Sequence, residues 1–127
     1  MLDRKAFDAY CRGLEGTTSI VQWGNASVWK IGGKIFAICS NWGEDVHEAI
    51  SFKCGEMAYR MLIEEDGVFP APYLARAKWV QVRTDQCLSD EDVRAYINAA
   101  YEIIAGKLTR AARRELGIEH LAPAKKG

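Results

Sequence analysis

Two adjacent glycines inside an apolar run constrain this chain more than any other feature of its sequence. The run Val28–Ile38 reads as a strand on both sides of Gly32-Gly33. Two-residue hairpin turns need positive φ, which glycine adopts without a Cβ clash. The segment is therefore predicted to form a β-hairpin whose turn pairs Ile31 with Lys34.

The remaining segments alternate between helical and strand-like patterns. Helices are expected over residues 2–14, 55–65, 89–108 and 109–116, and further strands over 18–23, 48–54 and 79–83. The segment Phe69-Pro70-Ala71-Pro72-Tyr73 should be an irregular or edge segment, because each proline removes a ladder donor. This order predicts an α+β fold: two layers, with helices packed on one face of an antiparallel meander sheet.

Length and composition favour one globular domain. The chain has 127 residues, of which 49% are hydrophobic and 27% charged, and these fractions are ordinary for a folded protein. A single domain over 1–127 is expected, with a basic, flexible tail from about residue 117. No apolar run approaches the ~18 residues that cross a bilayer. We therefore expect a cytoplasmic monomer with no membrane partner.

Bulk charge does not single out a polyanion, since 17 basic side chains balance 17 acidic ones. The four cysteines are scattered without a C-x-x-C pair, so we expect small buried apolar residues and neither a disulfide framework nor a zinc site. They are Cys11, Cys39, Cys54 and Cys87.

The sequence offers little for catalysis. His47 and His120 are the only histidines, and no metal-ligand pattern accompanies either. Ser40 or Cys39 could be combined with His47 and Asp45, but no nucleophile elbow surrounds them. The glycine pair lacks the spacing of a phosphate loop. We therefore expect no enzyme, no cofactor and no metal.

The parity of side chains along the strands predicts which sheet face meets the helices. That face should carry Ile50, Phe52, Cys54, Val80 and Val82. From the hairpin it should receive Trp29, Ile31, Lys34, Phe36 and Ile38, although a three-residue bulged turn would change this pairing. The face left free would then carry Lys30, Ser51, Lys53, Trp79, Gln81 and Arg83.

A basic, aromatic-bearing face suits nucleic acid, because ammonium and guanidinium groups bind phosphates and an indole can stack on a base. The candidate nucleic-acid-binding residues are Lys30, Lys34, Lys53, Arg76, Lys78, Trp79 and Arg83. The alternative is a half-exposed sheet whose long cationic side chains cover apolar neighbours while their charged ends remain in water.

A series of short motifs resembles the MmcQ/YjbR-like family over roughly residues 2–108. The motifs, in order, are Leu14-Glu15-Gly16-Thr17, Gly33-Lys34-Ile35-Phe36-Ala37, Ile50-Ser51-Phe52-Lys53-Cys54, Phe69-Pro70-Ala71-Pro72-Tyr73 and Trp79-Val80. The resemblance implies a compact α+β domain with an antiparallel sheet. It also implies DNA binding by analogy to a double-wing arrangement, in which a sheet surface meets DNA, and it carries no catalytic residues.

Three function classes follow. The leading hypothesis is a non-enzymatic DNA-binding domain that uses the basic sheet face. The first alternative is a protein-interaction or chaperone-like module that docks a peptide or a second copy. The second alternative is a small-molecule-binding protein.

Overall fold

The computed structural model describes residues 3–22, 26–40, 49–71, 77–83 and 88–120. Within these residues the chain forms four helices and six strands. The helices are α1 (Arg4–Arg12), α2 (Glu56–Leu62), α3 (Asp90–Ala105) and α4 (Arg110–Glu115). The strands are β1 (Thr17–Gln22), β2 (Ala26–Ile31), β3 (Lys34–Ser40), β4 (Ala49–Lys53), β5 (Val68–Pro70) and β6 (Trp79–Val82).

The strands form one antiparallel sheet in the order β1-β2-β3-β4-β6-β5. The first four strands form a meander, and β6 then inserts between β4 and the edge strand β5. Pro70 lies in that edge strand, where its missing N–H removes no ladder hydrogen bond from the sheet interior. The expected edge segment is thus confirmed over its described part; Pro72 and Tyr73 lie outside the described residues.

The longest helix, α3, packs its apolar stripe on β3 and β4. Its first turn is capped by the Ser89 side chain, which accepts a hydrogen bond from the Asp92 N–H at 3.1 Å. The buried stripe contains Val93, Ile97, Ala100, Tyr101 and Ile104. Because helices and an antiparallel sheet share this core, the α+β fold predicted from the sequence is confirmed.

The hairpin has the predicted turn but a different register beyond it. Ile31 pairs with Lys34 across the glycines, whose φ values are 59° and 80°. The register then shifts, because Lys30 pairs with Ile35 whereas Trp29 pairs with Ala37. Phe36 is the extra residue of this β-bulge.

The bulge reverses the side-chain parity of the second half of β3. Ile38 pairs with Val28, and the two side chains belong to a small apolar cluster separate from the main core. Ala37 and Cys39 instead join the main core, together with Phe36. The prediction that Ile38 shares the helix-facing side with Phe36 is therefore wrong, because the bulge lies in β3 and not in the turn.

The sheet face opposite the helices is not free. The small cluster on it contains Ala26, Val28, Ile38, Ala71 and Trp79. Ser51 and Gln81 pair across β4 and β6 on the same face, and both are buried. The expectation of an open face is thus wrong for Ser51, Trp79 and Gln81.

The hairpin turn packs against the segment that follows α3. A Cβ placed on Gly32 would lie 2.6 Å from Leu108 Cδ1, so the close approach of the two segments requires a glycine there. In the loop between α1 and β1, the Glu15 carbonyl accepts a hydrogen bond from the Tyr101 hydroxyl of α3 at 2.6 Å. Both contacts fix α3 to loops of the sheet.

The chain still packs in the core just after α4. Ile118 is fully buried, and its N–H donates to the Arg113 carbonyl at 2.8 Å. This apolar side chain is part of the main core. Residues 121–127 lie outside the described part of the chain.

The described cysteines behave as small core residues. Cys11, Cys39 and Cys54 are all buried, as predicted. Burial raises the pKa of Cys54 to about 12 and also raises that of Cys11, which disfavours the reactive thiolate. Cys87 lies outside the described residues. In the part of the chain described here, no group of three or more potential ligands could hold a metal ion.

Candidate nucleic-acid interface

Four lysines lie at the end of the sheet where β3 begins, β4 ends and β6 begins. Lys34 is the first residue of β3, and Lys53 is the last of β4, opposite Trp79. Lys78 immediately precedes β6, and Lys107 follows α3. We call this group, Lys34, Lys53, Lys78 and Lys107, the lysine end of the sheet.

Lys53 is the half-buried centre of the lysine end. Its ammonium group donates a hydrogen bond to the Ala77 carbonyl. Burial is the main cause that lowers the pKa of Lys53, and the positive charge of Lys107 lowers it further. Cys54 opposes this shift, and Lys78 adds a smaller lowering effect. Desolvation and like charge both disfavour the protonated amine. Three cationic groups therefore share one small region.

Lys78 is held in an unusual backbone conformation beside this centre. Its φ of 63° lies in the left-handed region, which costs a residue with a Cβ about 1–2 kcal/mol. Its carbonyl accepts a hydrogen bond from the Cys54 N–H at 2.9 Å. Its ammonium lies 5.0 Å from the centroid of the Tyr59 ring, a cation–π distance. Backbone and side chain thus both fix the position of this charge.

Lys107 reaches the lysine end because α3 ends against the hairpin turn. The residue after it, Leu108, packs on Gly32, and Lys34 follows that turn directly. Lys107 and Lys34 are both exposed. Lys107 is not among the binding residues predicted from the sequence. The sequence signal that could have placed Lys107 is its neighbour Leu108, an apolar residue at helical spacing from Ile104 that packs on the glycine turn.

No carboxylate balances these charges within the described residues. The ion pairs found there lie elsewhere: Arg60 with Glu56 on α2, and Arg110 and Arg114 with Glu119. These pairs hold cations at 2.8–3.3 Å from carboxylate oxygens, whereas the ammonium of Lys53 has a carbonyl and that of Lys78 a ring as its partner. Among the described residues, the lysine end therefore has no carboxylate at ion-pair distance.

A contrasting arrangement, the Asp8 cluster, lies towards the start of β2. Asp8 accepts hydrogen bonds from Trp29 Nε1 at 2.9 Å and from Ser27 Oγ at 3.4 Å. Arg4 Nε donates to the same Ser27 Oγ at 2.8 Å, and the Arg12 guanidinium lies 5.7 Å from the Trp29 ring centroid. Each cation of this cluster thus has Asp8, a hydroxyl or a ring close by.

The structure brings some of the predicted site residues together and separates others. Lys34, Lys53 and Lys78 all lie at the lysine end, where Lys53 and Lys78 are close enough to interact electrostatically. Lys30 is half-buried two residues before Gly32, and it pairs with Thr18 and Ile35.

Two of the other predicted residues do not join this group. Arg83 follows the opposite end of β6, where its guanidinium lies 4.4 Å from the Phe69 ring centroid and donates to Gln81. Trp79 is only 5% exposed and packs in the small apolar cluster, so its indole offers no open ring for a base. Arg76 lies outside the described residues.

Only some of the residues considered for catalysis lie in the described part of the chain. Cys39 and Ser40 are both buried in β3, and His120 is exposed after α4. His47 and Asp45 lie outside the described residues.

None of the helices searched in the described chain is both long and apolar enough to span a bilayer.

The geometry defines an α+β domain with a six-stranded antiparallel sheet, and comparison with known proteins identifies its family. The YjbR family model matches residues 12–103, so this chain belongs to the YjbR family. The resemblance drawn from the motifs is thereby confirmed. Among curated proteins, none matches the chain.

Two solved structures share the fold. The first is protein DR2400 of Deinococcus radiodurans, which carries a DUF419 domain; it is 20% identical, with a TM-score of 0.78 over 97% of this chain and 91% of that one. The second is a protein from Pseudomonas syringae, 16% identical, with a TM-score of 0.67 over 81% of this chain and 99% of that one. At these identities the likeness concerns the fold alone.

Proposed function

We propose that the protein binds the phosphate backbone of DNA through the lysine end. The observation that carries the proposal is the position of Lys53, which is half-buried among the positive charges of Lys107 and Lys78. Bringing these charges together costs electrostatic free energy, and a bound polyanion would recover it. Phosphate groups, spaced closely along both strands of DNA, supply the complementary charge.

The chemistry of the lysine end favours backbone contacts over base recognition. An ammonium group binds phosphate as a point charge, whereas discrimination between bases usually needs bidentate donors or acceptors in a groove. Trp79 is buried and does not present a stacking surface. The proposed binding should therefore be largely independent of the DNA base sequence, and its affinity should fall steeply as the salt concentration rises. No catalytic step is part of the proposal.

The test is a fluorescence-anisotropy titration of labelled duplex DNA at low salt. The site variant combines Lys34→Glu with Lys107→Glu, since both side chains are exposed and their replacement leaves the core intact. The matched control combines Lys5→Glu with Arg94→Glu, two exposed cations on α1 and near the start of α3. Both variants change net charge equally, so general attraction to DNA falls equally in both.

We expect the site variant to lose at least tenfold more affinity than the control, because it also reverses charges that contact phosphates. Equal losses in the two variants would show that only net charge matters. Failure of the unmodified protein to bind duplex DNA at low salt would contradict the proposal outright.

A further inference from the structure

The two edges of the sheet differ in how well they are protected from pairing. At one edge, β5 has three residues and ends at Pro70. At the other edge, β1 has six residues, and Ile20 and Val21 are 46% and 62% exposed. Short length and proline are common means of protecting an edge. They are present in β5 and missing from β1.

The outer side of β1 is open in the described part of the chain. The strand pairs continuously with β2, from Thr17 opposite Ile31 to Gln22 opposite Ala26, without a bulge. No described strand pairs with its other side. Every second residue of an edge strand leaves its N–H and C=O without a ladder partner. The open side of β1 is therefore a template for another strand.

The sequence of β1 lacks the features that discourage such pairing. It reads Thr-Thr-Ser-Ile-Val-Gln, with no lysine, carboxylate or proline. β-branched residues favour strand pairing, and a charged side chain on the edge would oppose it. Two copies of this strand can thus lie side by side without opposing like charges. The whole chain has a formal net charge of zero, so no long-range repulsion opposes their approach.

We propose that β1 of one copy pairs antiparallel with β1 of a second copy, about a two-fold axis at Ile20. Opposite residues of an antiparallel pair must share a sheet face, so residues of equal parity have to meet. An axis at Ile20 satisfies this condition: Ile20 faces its own counterpart, and Ser19 faces Val21. The exposed isoleucines then cover each other, and the sheet continues across the dimer with both helical layers on one face.

The interface formed by one strand pair is small compared with the roughly 1,200–2,000 Å² of stable complexes. Association should therefore depend on concentration in the micromolar range. The proposal replaces the monomer expected from the sequence. It is also independent of DNA binding, because a two-fold axis normal to the sheet directs the two lysine ends in opposite directions.

The experiment is analytical ultracentrifugation of the full chain from about 5 µM to about 500 µM, a range that brackets a weak dimer. The unmodified protein should shift from monomer to dimer over this range. Ile20→Lys alone and Ile20→Glu alone should remain monomeric, because each places like charges opposite one another. Met57→Lys, at a residue of α2 that is 77% exposed, is the control and should dimerise like the unmodified protein.

The decisive experiment is analytical ultracentrifugation of an equimolar mixture of the Ile20→Lys and Ile20→Glu proteins. Because the axis places these positions opposite each other, the mixture should recover the dimer. Circular dichroism of each variant checks that the fold is retained. A monomer at every concentration of the unmodified protein, or a mixture that stays monomeric, would overturn the proposal.

Discussion

The lysine end and the Asp8 cluster lie towards opposite ends of the sheet, and their positive charges have different surroundings. In the Asp8 cluster a carboxylate accepts the Trp29 N–H at 2.9 Å, and the neighbouring guanidinium groups contact a hydroxyl or a ring. At the lysine end, Lys107 and Lys78 add their charges to that of Lys53. The polar groups of the Asp8 cluster form hydrogen bonds with one another. The lysine end lacks a counter-ion among the described residues.

This difference separates structural polar groups from groups available for binding. A buried donor with its acceptor stabilises the fold and has little left to offer a ligand. Clustered ammonium groups without carboxylates add little to stability and attract anions. Mutations at the Asp8 cluster should therefore affect folding, and mutations at the lysine end should affect binding.

The largest expected effect concerns the contact that creates the lysine end. Gly32→Ala places a methyl group 2.6 Å from Leu108 Cδ1 on a residue with φ of 59°. Strain in the left-handed region and overpacking together should lower the free energy of unfolding by about 2–3 kcal/mol in urea titrations.

Gly33→Ala is its matched control, because φ is also positive there but no atom lies within 4 Å of the added Cβ. It should cost only about 1 kcal/mol, the backbone part of the effect. Equal losses at the two positions would mean that the turn does not hold α3 in place by close packing.

A smaller effect is expected at the Asp8 cluster. Asp8→Ala leaves the buried Trp29 N–H without its acceptor, which should lower the free energy of unfolding by about 1–3 kcal/mol. Asp8→Asn keeps an acceptor oxygen and should recover most of the loss. If DNA affinity fell with Asp8→Ala while unfolding was unchanged, the division between a structural and a binding end would be wrong.

The elements that build both ends could largely be predicted from local patterns. Gly32-Gly33 predicts the turn, and the Ser89 cap with its apolar stripe predicts α3, because each depends on residues close in sequence. Sequence patterns could not predict the bulge at Phe36, since an extra residue in one strand is determined by what packs around it. Parity arguments therefore placed Ile38 on the wrong face.

The site was predicted only in part for the same reason. Lys53 and Lys78, both named from the sequence, lie close together because β4 pairs with β6. Lys107 joins them through the packing of Leu108 on Gly32, a contact between segments far apart in sequence. Burial of Trp79 and Gln81 likewise depends on tertiary structure, and strand alternation cannot reveal it.

The smallest expected effect on stability is that of Lys78→Gly. Glycine relieves the strain of φ at 63° but removes the cation over the Tyr59 ring. The two contributions are of similar size and opposite sign, so the free energy of unfolding should change by less than about 1 kcal/mol. The variant thus removes one charge from the lysine end while leaving the fold intact.

The most direct test of phosphate binding at the lysine end is the salt dependence of DNA affinity, measured for the unmodified protein and for Lys78→Gly. Each ammonium that contacts a phosphate contributes about −0.9 to the slope of log K against log salt concentration. We expect a slope that is shallower by about one in Lys78→Gly, with little change in the free energy of unfolding. Identical slopes for the two proteins would contradict it, because Lys78 would then contact no phosphate.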